Sequence, residues 1–152
     1  MVDEEVLILL NQCAQGVRQL EDGINWFRGL LSDEQREVLR TLSYLTLQAG
    51  AGHVDVNNAI RKSELKPTFT PCVLLQKEAD LGVQLAKVVS LPPDEHEKSF
   101  RLLLCLLSVA DERRRDTKCS DGCAHWWHKD LSDEETVNRI RKYLKSGERV
   151  AY

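Results

Sequence analysis

Two cysteines and two histidines near the C-terminal end have side-chain types and a spacing that could do chemistry. Cys119, Cys123, His125 and His128 follow the pattern Cys-x3-Cys-x-His-x2-His. Thiolate sulfur and imidazole nitrogen are common ligands of Zn²⁺, and four such ligands usually hold the ion tetrahedrally. The pattern therefore predicts a metal site, with zinc as the cofactor, in a loop over residues 119–128.

Other interpretations of the same residues stay open. The spacing is not that of a zinc finger, whose cysteine and histidine pairs lie on separate elements, and four ligands this close would crowd one ion. A catalytic zinc site would use three protein ligands and a water. The thiols could instead be semi-buried, with Trp126 and Trp127 anchoring the loop and both histidines only hydrogen-bonded. Redox chemistry at the thiols is a further alternative, which requires a lowered thiol pKa.

The elements that must position this loop are helical. Glycine and proline are scarce, at 8 and 4 residues of 152, which disfavours the many tight turns of a β-sandwich or barrel. Apolar residues recur at helical intervals between capping signals, such as the Ser-x-x-Gln spacing that opens at Ser32. These patterns predict helices near residues 3–14, 24–30, 32–49, 54–63, 71–90, 94–110 and 132–146.

One of these segments is apolar on nearly every face. Residues 100–110 contain no charged residue except Arg101. A helix that is hydrophobic all round lies in the middle of a core. We therefore predict an all-α fold, a single compact bundle of six to seven helices around this central helix, forming one domain over residues 1–152.

The net charge of the chain restricts the classes of partner that it is expected to bind. The chain has 21 Lys+Arg against 24 Asp+Glu, a net charge of −3, whereas nucleic-acid binders normally carry a basic excess. The N-terminal acids do not match the basic start of a signal peptide, and no apolar run approaches the ~20 residues that cross a bilayer. The sequence thus predicts a cytoplasmic protein with reduced thiols and a protein partner, and leaves its oligomeric state open.

The remaining reactive side chains have structural interpretations. Three cysteines on apolar helix faces are predicted in the core: Cys13, Cys72 and Cys105. Arg28 and Arg101 interrupt apolar stretches and are predicted to pair with carboxylates inside the protein. His53 and His96 are predicted at the surface. Residues 111–116 are predicted as a solvated helix end. A weaker alternative is nucleic-acid contact through the basic residues Arg113 to Arg115, Arg139, Arg141, Lys142 and Lys145.

The sequence has none of the common catalytic motifs, including the P-loop, the GxGxxG fingerprint, the HExxH helix and the GxSxG elbow. We therefore predict a non-catalytic helical interaction or accessory factor with a structural zinc in the loop. The alternative is a metal-dependent enzyme, or a metal or redox sensor, that uses the same Cys/His cluster.

Several stretches resemble an uncharacterised family of short bacterial proteins, common in actinomycetes and known only as a domain of unknown function. They are residues 25–30, 36–39, 66–71, 99–103 and 122–128, with the tryptophan-flanked histidines the most distinctive. The resemblance covers roughly residues 10–128 and implies a single-domain bacterial protein without a known activity. The helix from Ser132 onward is an addition to the family pattern.

Overall fold

The computed structural model describes residues 4–49, 51–65 and 81–115, together with residues 134, 135, 137, 138 and 141. Six α-helices lie in these ranges, and the separate residues near position 137 are helical as well. The helices are α1 (Glu4–Ala14), α2 (Leu20–Arg28), α3 (Ser32–Gln48), α4 (His53–Ser63), α5 (Leu81–Val88) and α6 (His96–Arg115). The described part of the chain has no β-strand, so the predicted all-α fold is confirmed.

Helix α6 is the centre of the fold. Residues 102–107 are each at most 1% exposed. Since six consecutive residues cover the full circumference of an α-helix, this segment is enclosed on every side. Helices α1, α2, α3 and α4 pack against α6, and α5 packs against α3. The prediction of a central hydrophobic helix is confirmed.

The helix ends follow local chemistry. Gly16 adopts φ +77° after α1, a conformation that glycine takes without a steric penalty. The backbone N–H of Leu31 donates to Glu34 Oε1 (3.0 Å) before α3, and that of Gly52 donates to Asp55 Oδ2 (2.9 Å) before α4. The predicted start of α3 is therefore correct to one residue, with Leu31 rather than Ser32 in the capping position.

Helix α2 is held against α6 by stacking and by charge. The rings of Phe27 and Phe100 are stacked with centroids 4.2 Å apart. On either side of this stack Arg28 pairs with Glu97, and Arg101 Nη1 lies 3.0 Å from Glu21 Oε1. The acid precedes the base on both helices, so only an antiparallel packing brings the opposite charges together.

The chain beyond residue 130 also contributes to this structure. Val137 is 1% exposed and belongs to the hydrophobic core. Arg141 Nη2 lies 3.7 Å from Glu4 Oε2 at the start of α1. The predicted C-terminal helix is thus represented by five described residues, and the rest of its predicted range lies outside the described residues.

None of the helices that the structure describes is long and apolar enough to span a membrane.

Candidate functional site

The four predicted metal ligands lie outside the described residues. Cys119, Cys123, His125 and His128 all fall within residues 116–133. Within the described ranges, no group of three or more histidine, cysteine or acidic side chains is arranged to hold a metal ion. The zinc site in the loop over residues 119–128 therefore stays a prediction.

A half-open cavity of about 200 Å³ lies against α6 in the described part of the chain. The end of α1 with the turn after it, the start of α2 and the end of α4 form its walls. Four residues of α6, spread over about two turns, lie along one side. The lining residues are Cys13, Gly16, Arg18, Gln19, Leu20, Lys62, Leu104, Cys105, Ser108 and Glu112.

Two thiols lie in the wall of this cavity. Cys13 and Cys105 are buried and free, as predicted for core cysteines, whereas Cys72 lies outside the described residues. Burial raises the pKa of the Cys105 thiol to about 11, although the positive charges of Lys62 and Arg101 act in the opposite direction. Burial also raises the pKa of Cys13, against the charge of Arg18. Both thiols therefore stay protonated near neutral pH.

A lysine closes one side of the cavity. Lys62 Nζ donates to Ser108 Oγ (2.7 Å) and lies 3.5 Å from Glu112 Oε1. The lysine–serine distance resembles that of a base and a nucleophile. The lysine side chain is 42% exposed and has a carboxylate partner, an arrangement that suits a charged ammonium acting as a donor. The contact thus joins α4 to α6 by a hydrogen bond and does not supply a general base.

His96 is buried, contrary to the surface position predicted from its acidic neighbours. The residue is 0% exposed. Its Nδ1 lies 3.0 Å from Gln35 Oε1 and its Nε2 lies 3.1 Å from the carbonyl oxygen of Leu91. Gln35 Nε2 in turn donates to the carbonyl oxygen of Phe27 (3.1 Å). These contacts hold the buried imidazole between two oxygen acceptors and join α2, α3 and the segment before α6.

Two further predictions about charged residues have definite outcomes. The predicted carboxylate partners of Arg28 and Arg101 are Glu97 and Glu21. Arg101 is half-buried, with its side chain 24% exposed, whereas Arg28 is exposed at the surface. Asp111 was predicted to be the first residue of the solvated helix end. It is instead buried, at 2% exposure, and the exposed residues begin at Glu112. The side chains of residues 113–115 lie outside the described set.

A family model matches residues 5–130, and its description is a family of unknown function, DUF5958. The chain belongs to this family. The predicted membership in an uncharacterised family is thereby confirmed, and the helical residues near position 137 follow the matched range. Neither the curated proteins nor the solved structures gave a match to the chain.

Sequence reasoning missed the cavity beside α6. Lys62 and Ser108 are 46 residues apart, so their contact has no local signal. One feature of the sequence could have indicated it. Ser108 is a polar residue within the apolar run of α6, and it shares a helix face with Glu112, four residues later.

The raised pKa of Cys105 predicts slow alkylation in the folded protein. A pKa of about 11 instead of the ordinary 9.0 lowers the thiolate fraction near neutral pH about a hundredfold. We expect iodoacetamide to modify Cys105 at least about a hundredfold more slowly in the native chain than in the guanidinium-unfolded chain at pH 8. Mass spectrometry of the tryptic peptide 102–113, which contains only this cysteine, measures both rates.

The pH dependence provides a further check on Cys105. The folded state holds its proton up to higher pH than the unfolded state, so this thiol favours folding below about pH 9 and loses that effect as the pH rises towards 11. The native alkylation rate should increase across the same interval. Similar native and unfolded rates at pH 8 would contradict the assignment.

Proposed function

We propose that the protein is a non-catalytic interaction factor that binds a protein partner through the corner between α2 and α3. The observation that carries this proposal is the exposure of Leu31. Its side chain is 72% exposed in the short connection between these helices. A large apolar side chain at a tight corner gains hydrophobic free energy when a partner covers it.

Acidic residues lie at the two helix starts that meet near Leu31. Asp33 and Glu34 follow it in the first turn of α3 and are exposed. The hydrogen bond between His96 and Gln35 brings the start of α6, with Glu97, and the turn before it, with Asp94 and Glu95, next to the start of α3. We define this surface, Leu31 together with these five acids, as the acidic corner.

The charge of the acidic corner favours a basic partner. Arg36 lies 3.6 Å from Asp33 and Arg28 pairs with Glu97, so two of the five acids are ion-paired, and Glu34 accepts the backbone N–H of Leu31. Exposed carboxylates attract a positively charged protein towards the surface. Leu31 then contributes hydrophobic contact energy once the two surfaces meet.

The chemistry of the cavity beside α6 also supports a non-catalytic role. Its thiols are protonated because burial raises their pKa, and its lysine is hydrogen-bonded to serine and ion-paired with a carboxylate. Activated nucleophiles require the opposite arrangement, a lowered thiol pKa or a neutral base beside the hydroxyl.

We further propose that Cys119, Cys123, His125 and His128 hold a structural zinc ion. Their residue types form a complete Cys2His2 ligand set, which is the support for this part of the proposal. A closed site of four protein ligands stabilises a fold, because binding free energy is then folding free energy.

Substitution of Leu31 tests the partner-binding surface. The full chain, immobilised as bait in a lysate of its source organism, should enrich a specific partner that Leu31→Asp retains at least about fivefold less. The change removes the apolar contact and puts in its place a carboxylate that the partner would have to desolvate. Val54→Asp is the matched control, because Val54 is 75% exposed and lies on α4. We expect this control to bind like the unchanged chain.

Quantitative mass spectrometry of the bound fraction measures the enrichment. Equal retention by Leu31→Asp, or no partner that the unchanged chain enriches above an unrelated bait, would contradict the proposed role.

Elemental analysis tests the zinc site independently. The chain purified without a metal-affinity tag should contain about one equivalent of zinc. Cys119→Ser and His128→Ala should each lower the zinc content and the melting temperature, whereas His53→Ala, a histidine outside the cluster, should change neither. Less than about a tenth of an equivalent of metal would contradict the site. Loss of metal with an unchanged melting temperature would contradict a structural role and favour the metal-dependent enzyme or sensor.

A further inference from the structure

The cavity beside α6 presents more hydrogen-bond donors than the described chain uses. An ammonium group has three N–H bonds; Ser108 accepts one of those of Lys62, and Glu112 Oε1 lies 3.5 Å from the same nitrogen as an ion-pair partner. A guanidinium has five, and Arg18 donates from Nε and Nη2 to Gln12 Oε1 at 3.3 and 3.2 Å. Each cation therefore keeps N–H bonds for a further acceptor.

Ser108 adds a buried donor to the same cavity. Ser43 and Ser99 donate their hydroxyl protons to the backbone carbonyls four residues earlier, at 2.8 Å in both cases. Ser108 instead accepts from Lys62, and among the described residues it has no acceptor for its own proton. Because the residue is 5% exposed and lines the cavity, a ligand there is the natural acceptor for this hydroxyl.

The side chains that line the cavity carry a net positive charge. Arg18 and Lys62 are cations, Glu112 is the single carboxylate, and burial keeps both thiols neutral. Glu112 is also 60% exposed, so its charge is well solvated. A net positive lining with unused donors favours an anion that accepts several hydrogen bonds.

The dimensions restrict the ligand to a small molecule. A volume of about 200 Å³ is close to that of seven water molecules in the liquid, and it lies below the range of about 300–1,000 Å³ typical of pockets for drug-sized ligands. The apolar part of the wall, Leu20 and Leu104 with the two thiols, can cover a short carbon chain.

We propose that this cavity binds a small oxyanion, held by Lys62, Arg18 and the hydroxyl of Ser108. The shared chemistry is a group with two or three anionic oxygens, either inorganic phosphate or the carboxylate of a short organic acid. This site is independent of the acidic corner and of the predicted zinc loop, since it uses none of their residues.

The test is a titration of the ¹⁵N-labelled full chain at constant ionic strength, followed by two-dimensional NMR. Sodium phosphate and sodium propionate are the two probes, and sodium chloride is the reference salt. We expect at least one probe to shift the amide signals of Gln19, Cys105 and Ser108 saturably, and the probe that binds more tightly identifies the source of the oxyanion.

Two variants and a control make the result specific. Lys62→Met and Ser108→Ala should each weaken binding about tenfold, the scale of one hydrogen bond to a charged group. Lys87→Met removes the same charge from the last turn of α5, outside the cavity lining, and should leave binding unchanged. The proposal is overturned if neither probe gives saturable shifts, or if Lys87→Met weakens binding as much as Lys62→Met.

Discussion

The burial of α6 is the constraint on which the rest of the structure depends. Its middle turns carry leucine or cysteine at six successive positions, and none of these can face water without the loss of hydrophobic free energy. A helix of this kind must be surrounded, so four other helices pack around it and α5 packs on one of those four. Charged side chains in the described ranges lie mostly outside this core, although Asp55 and Asp111 are buried.

The direction of packing comes from a few specific contacts. The stack of Phe27 on Phe100 brings α2 close to α6, and the two ion pairs on either side select the antiparallel orientation. Gly23 lies in the same contact, where an added Cβ would approach Cys13 Sγ to 3.0 Å. Beyond this close contact the walls formed by α2 and α4 do not meet over α6, and the cavity with Lys62 and Ser108 lies there. The candidate ligand site is thus a consequence of how the central helix is enclosed.

The helical elements could be predicted because their signals are local. The spacing of apolar residues and the capping residues placed α1, α3 and α4 to within a residue or two of their observed bounds, and the unbroken apolar run identified the central helix. His96 could not be placed in this way. Its acidic neighbours suggested a position in solvent. In the structure Gln35 and the carbonyl of Leu91 lie against its ring nitrogens, and only the tertiary fold brings these groups together. Asp111 was misplaced for a similar reason, since its burial depends on long-range packing.

The cavity was hidden from sequence analysis for the same physical reason, because Lys62 and Ser108 meet only after α4 has packed on α6. The Cys/His cluster differs from the cavity, because its four residues are close together in the sequence and can be recognised there. They lie outside the described residues, so the metal site stays a prediction. Membership in a family of unknown function, which the match over residues 5–130 shows, assigns no activity to either site.

Native-state hydrogen exchange tests the central role of α6 most directly. If the enclosed helix is the core on which the other helices depend, the amides of residues 102–107 exchange only through global unfolding. Their exchange free energies should then equal the free energy of unfolding measured with denaturant, while the amides of α5 exchange at lower free energies. Exchange of residues 102–107 through a smaller opening, at free energies at or below those of α5, would contradict this account.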